Sequence, residues 1–301
     1  SVAELARRGQ GRTPFALSGE QVAVVEMASV NPAPFLVLPI ELDGEQVLAM
    51  VSTSRSEVVI DKASRAEPSW VSVRFGGRLT VTDVPAFSQD LSGLSKELNA
   101  PIRALIGSNL LRKVSATIDY RGHQFVARAY APPPPPHATR VGLFYAKGGG
   151  MMMSTALGQN EAAPASFLVD SAMRFPLSLD EGGWTKAGVA LSDLSIVEED
   201  PEKKLKEGVV PVFRLGAFDV RRVPGVFVGA PISEIEKGLL FDIDGIVGTP
   251  MLAHYRITLA EGGRTLWFED DTSLRALIDQ IDSIELPTEA PPANAREGAP
   301  K

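Results

Sequence analysis

Cysteine is absent from the 301-residue chain, which excludes disulfide staples, thiolate nucleophiles and cysteine metal ligands. Histidine is scarce. His123, His137 and His254 are the whole complement, and none falls in a closely spaced His/Asp/Glu set, so no metal and no cofactor is expected. No apolar run approaches the roughly 18 residues that a membrane-spanning helix needs. Positive charge is in deficit, 30 Lys and Arg against 37 Asp and Glu for a net charge of −7, so neither nucleic acid nor anionic lipid is an expected partner. An initiator Met and an apolar signal core are also missing, since the chain starts at Ser1. It therefore reads as a processed product. One reading is a soluble protein exported after removal of a leader, with compartment and oligomeric state left open.

What is there is globular and rich in turns. Hydrophobic residues make up 44% and charged residues 22%, with 27 Gly and 23 Pro, a balance that favours an all-β chain. FLVLPI at 35–40, the Asp43-Gly44 turn and the apolar run Val47–Val51 predict a hairpin. Val71, Val73 and Phe75 alternate with Ser72 and Arg74, which predicts a strand with one buried face before Gly76-Gly77. A helix is expected over Leu91–Leu98, and hairpins near Val73–Val84 and Val212–Val223 are expected to overhang a cleft as flaps. APPPPPH at 131–137 cannot supply sheet hydrogen bonds and reads as a stiff polyproline II spacer, the alternative being a proline-rich ligand for another protein. Met151–Met153 reads as a buried strand rather than a soft-metal patch, and Glu198–Lys206 as a solvated helix or loop. Asp242 and Asp244 read as loop residues in preference to a cation site.

The two halves can be laid on each other. GSNLLRKVSATI at 107–118 matches GTPMLAHYRITL at 248–259, which aligns Gly107 with Gly248, Leu111 with Leu252 and Thr117 with Thr258. Upstream, Val84-Pro85 echoes Val223-Pro224, and MVSTS at 50–54 echoes LVDSA at 168–172. Three blocks in one order predict a duplicated β lobe. The expected division is an N-terminal extension (1–34), a first lobe (35–130), a proline-rich linker (131–140), a second lobe (141–269), a C-terminal helix (270–286) and a disordered tail (287–301).

With AMVSTS and FLVDSA as strand ends, Leu105-Ile106-Gly107 and Ile246-Val247-Gly248 as hydrophobic-hydrophobic-Gly elements, and two closing hairpins, the chain resembles the pepsin/retropepsin superfamily of aspartic proteases, in particular the bacterial retropepsin-like type. The resemblance covers roughly residues 35–130 and 141–269. It implies a duplicated two-lobe β-barrel fold, with one Asp-Thr/Ser-Gly loop from each lobe facing across a pseudo-twofold axis. It also implies that the residue after each Asp braces the two loops.

Family catalysis needs both carboxylates, one as base and one as acid. Here the motif loops are Ser52-Thr53-Ser54 and Asp170-Ser171-Ala172, so the first-lobe carboxylate position is a serine and both glycines are replaced. Asp170 is the one candidate catalytic residue and is expected to titrate as an ordinary carboxylate. Ser52 reads as a loop hydroxyl, since no His or Lys is placed by spacing to activate it. The expected function is a catalytically impaired homologue that binds an extended polypeptide or partner protein between its lobes. The alternatives are an active aspartic endopeptidase using Asp170, with the second carboxylate supplied either across a homodimer or by a residue outside the motif loops, and a structural lobe pair with a self-filled cleft.

Overall fold

The computed structural model describes residues 7, 9, 11–30, 35–147 and 149–270. The expected tail, and all but Asp270 of the expected C-terminal helix, lie outside the described residues. The first half runs β1 (Ala16–Gly19), β2 (Val22–Glu26), β3 (Val37–Leu42), β4 (Glu45–Val51), β5 (Val58–Asp61), β6 (Ser69–Phe75), β7 (Leu79–Gln89), α1 (Ser92–Leu98), β8 (Ile102–Ile106), α2 (Ser108–Lys113), β9 (Thr117–Asp119) and β10 (Gln124–Arg128). The second half runs β11 (Thr139–Tyr145), β12 (Met151–Leu157), β13 (Ala163–Asp170), β14 (Leu177–Leu179), α3 (Glu181–Ala187), β15 (Ser195–Ile196), β16 (Lys206–Leu215), β17 (Phe218–Phe227), α4 (Ile232–Leu239), β18 (Gly245–Gly248), α5 (Thr249–Leu252), β19 (Arg256–Ala260) and β20 (Thr265–Glu269). None of the described helices is long and apolar enough to cross a membrane.

Local chemistry accounts for the strands. Asp43 and Gly44 both take positive φ at the β3–β4 turn, the conformation that a two-residue hairpin loop of matching twist requires. In β6 the side chains of Val71, Val73 and Phe75 are buried while Arg74 is exposed, as the period of two demands. Met151, Met152 and Met153 are buried in β12, so the tract is core strand.

The duplication is visible in the pairing. β8 lies parallel to β4 and antiparallel to β5, while β18 lies parallel to β13 and antiparallel to β14. β5 in turn lies parallel to β7, and β14 parallel to β17. The halves join through antiparallel pairing of β9 with β19, where the equivalent residues Thr117 and Thr258 are partners and their buried hydroxyls meet at 2.9 Å. Each lobe closes as a six-stranded barrel, giving the two-lobe, all-β, aspartic-protease-like fold.

Two expectations change. The stretch read as an N-terminal extension carries two strands of the fold: β1 pairs with β7 and β2 with β10. The two glycine-tipped hairpins, β6–β7 and β16–β17, do form, but they are not flaps. Phe75 beside the first tip stacks on Phe125 of β10 at 5.6 Å between ring centroids, and Gly76 packs against β2. At the second tip the Ala217 N–H donates to Thr139 Oγ1 of β11 at 2.6 Å, and Phe218 stacks on Tyr255 at 6.4 Å. Packing of these aromatic rings on one another turns both tips toward the sheet that joins the lobes.

Candidate functional site

β4 and β13 each end at the foot of a motif loop, next to the central strand of its lobe. The Ser52 N–H donates to the Ile106 carbonyl at 2.9 Å, and Asp170 stands in register with Gly248. A Cβ on Gly107 would run into the Glu57 carbonyl oxygen, and one on Gly248 into that of Phe175. The hydrophobic-hydrophobic-Gly element therefore needs glycine because a neighbouring loop crosses directly over it.

The two loops are locked by reciprocal hydrogen bonds. Thr53 Oγ1 donates to the Val169 carbonyl at 2.6 Å and accepts from the Ser171 N–H at 3.0 Å. Ser171 Oγ donates to the Val51 carbonyl at 2.8 Å and accepts from the Thr53 N–H at 3.1 Å. Thr53 is 4% exposed and Ser171 0%, so these four bonds are shielded from water. They bring the residues just before them, Ser52 and Asp170, to opposite sides of one junction.

Asp170 is half-buried, and desolvation pushes its pKa above the ordinary carboxylate value. The Ala172 N–H, donating to Oδ1 at 2.9 Å, the Ser54 hydroxyl and the Arg55 charge each work in the other direction without cancelling the effect of burial. The expected ordinary titration is thus corrected: loop packing takes away part of the water that would solvate the charge. Ser52 is 4% exposed, and its hydroxyl lies 3.4 Å from that of Ser54, a contact too long for a strong hydrogen bond. Neither Ser54 nor the Ile106 carbonyl can serve as a base for it.

Both lobes also press on the loops from the sides. Ala172 packs against the apolar cluster that contains Phe35, Leu98 of α1 and Leu105. Glu97 of α1 forms an ion pair with Arg174 of the other lobe. From the second lobe, the Met151 N–H donates to the Thr53 carbonyl at 3.1 Å. Gly149 and Gly150 take positive φ there, where a Cβ on Gly150 would come within 3.1 Å of the Ser54 carbonyl and 2.9 Å of Leu239 in α4. Sequence reasoning missed this crossing. The glycine triplet at 148–150 was its signal.

The remaining candidates serve the scaffold. Asp244 accepts from the Ser166 N–H at 2.9 Å and pairs with Lys186 at 2.7 Å, as a loop residue should. Beneath the locked loops, Thr53, Ser171, Tyr120, Met151 and Leu252 help line a cavity of about 20 Å³, too small for more than a solvent molecule. Among the described residues no group of three or more His, Cys, Asp or Glu is gathered as a metal site would require.

No family model and no curated protein matches the chain. Among solved structures it is similar to a retropepsin-like aspartic protease from Rickettsia conorii at 12% identity and a TM-score of 0.32, covering 44% of this chain and 91% of that one. A likeness of that strength carries no weight for function.

Proposed function

We propose that the chain is a catalytically impaired aspartic-protease homologue that holds an extended polypeptide, or a segment of a partner protein, between its lobes without cutting it. One observation carries the reading: the bracing between the loops is complete, yet of the two positions it presents, one is Asp170 and the other Ser52. Peptide hydrolysis by this architecture needs one carboxylate to take a proton from water while a second donates one. A serine hydroxyl with no base beside it does neither. The bracing also weighs against a homodimer that pairs two copies of Asp170. The Ser52 loop already fills the facing position, and admitting a second Asp170 would break four buried hydrogen bonds.

A second reading, the structural lobe pair with a self-filled cleft, draws support from the Glu97–Arg174 ion pair and the packing of Ala172 and Gly150 against the α1 and α4 neighbourhoods. Retention separates the two. Immobilised protein is incubated with a broad peptide library, and eluted peptides are read by mass spectrometry. The binding reading expects intact peptides on wild type and on Asp170→Ala alike. Retention by neither protein would favour the self-filled reading and overturn the first.

A further inference from the structure

Between β10 and β11 the chain runs Tyr130, Ala131, then five consecutive prolines, Pro132–Pro136, and His137. We propose that this segment is a docking strip for a partner protein that presents a shallow groove lined with aromatic side chains. Each proline has its φ locked and lacks an N–H, so the run favours the polyproline II helix, with three residues per turn and outward-facing carbonyls. Exposure follows that period. Pro132 and Pro135 are half-buried, while Pro133, Pro134 and Pro136 are exposed. Pro133 and Pro136, three apart, are both exposed, and Pro136 opens the turn closed by the Ala138 N–H donating to the Pro135 carbonyl at 3.3 Å. Tyr130 adds an aromatic ring, 46% exposed, at the start of the strip.

Both ends are pinned to the sheet that joins the lobes. The Arg128 N–H donates to the Val114 carbonyl at 2.6 Å and the Ala129 N–H to the Gln21 carbonyl at 2.9 Å. At the other end Thr139 pairs with Phe268. A spacer needs only reach, which most extended residues supply. A pinned polyproline strip offers more: its conformational entropy is already spent before a partner arrives, and aromatic grooves recognise its ring edges and carbonyls together. The strip makes no use of Asp170 or Ser52, so it stands independently of the reading of the inter-lobe site.

The test uses three immobilised probes, an isolated SH3, an isolated WW and an isolated EVH1 domain, against the full chain. The variant replaces the exposed prolines together, Pro133→Ala, Pro134→Ala and Pro136→Ala, leaving the half-buried Pro132 and Pro135 in place. Wild type is expected to bind at least one probe, with affinity falling about tenfold or more in the variant while the melting temperature stays unchanged. Should the variant fold poorly, competition by the free peptide of residues 130–137 replaces it, and displacement of wild type is the expected result. Failure of wild type to bind any probe, equal binding by a folded variant, or no displacement by the peptide overturns the proposal.

Discussion

Thr53→Val is expected to lower the unfolding free energy by about 2–6 kcal/mol, a large share of the stability of a typical domain. Valine fills nearly the same volume, so the loss comes from the hydroxyl alone. Without it the Val169 carbonyl and the Ser171 N–H are left unpaired, in a place where Thr53 and Ser171 are shielded from water. Each orphaned group carries a desolvation penalty of about 1–3 kcal/mol. Thr53→Ser keeps both hydrogen bonds and should recover most of the loss. Denaturant unfolding of the three proteins checks the expectation. A Thr53→Val loss below about 0.5 kcal/mol would mean that the loops are not held together in this way.

Asp170 is expected to make the protein less stable as pH rises through its raised folded-state pKa. Between the unfolded value of about 3.9 and that raised value, the native state still holds a proton that the unfolded state has released. Stability therefore falls across this window, and the penalty persists above it. Asp170→Asn removes the charge while its side-chain oxygen can still accept the Ala172 N–H. It should melt at a higher temperature than wild type at neutral pH, with the gap closing below the ordinary carboxylate range. Ser52→Asp should do the reverse. Two unit charges about 4 Å apart repel by about 4 kcal/mol at an effective dielectric near 20, so the pair would keep one proton to a higher pH and lose more stability beyond it. Melting temperatures of the three proteins from about pH 3 to 8 decide the matter. Parallel wild-type and Asp170→Asn profiles would contradict the burial of Asp170.

The parts of this fold legible in the sequence are those fixed by local chemistry. Gly107 and Gly248 could be aligned because a loop crosses over each, and Thr117 and Thr258 because one short strand is used twice and meets itself at the junction. The helix over Ser92–Leu98 and the Asp43-Gly44 hairpin likewise follow from nearby residues. What escaped was set by distant partners. Ala16 pairs with Thr82 and Val24 with Val126, and although Val22–Met27 is a short apolar run, nothing in its own residues announces those distant neighbours. The glycine-tipped hairpins were legible as hairpins, but their direction is decided by Phe125 and Tyr255, far along the chain. The bracing role of Thr53 and Ser171 came from resemblance, since a Thr and a Ser after two strands have no spacing of their own that points at each other. The elevated pKa of Asp170 needed the packed loops, because burial is a property of the assembled junction.

The most direct test of catalytic impairment is hydrolysis of a broad peptide library by purified wild type and Asp170→Ala, followed by mass spectrometry from about pH 3 to 7, the range over which a shared-proton carboxylate pair would act. The account predicts no cleavage by wild type above the Asp170→Ala background at any pH. Robust wild-type turnover that disappears in Asp170→Ala would contradict it, and a rise steeper than first order in protein concentration would show that two chains supply the carboxylate pair.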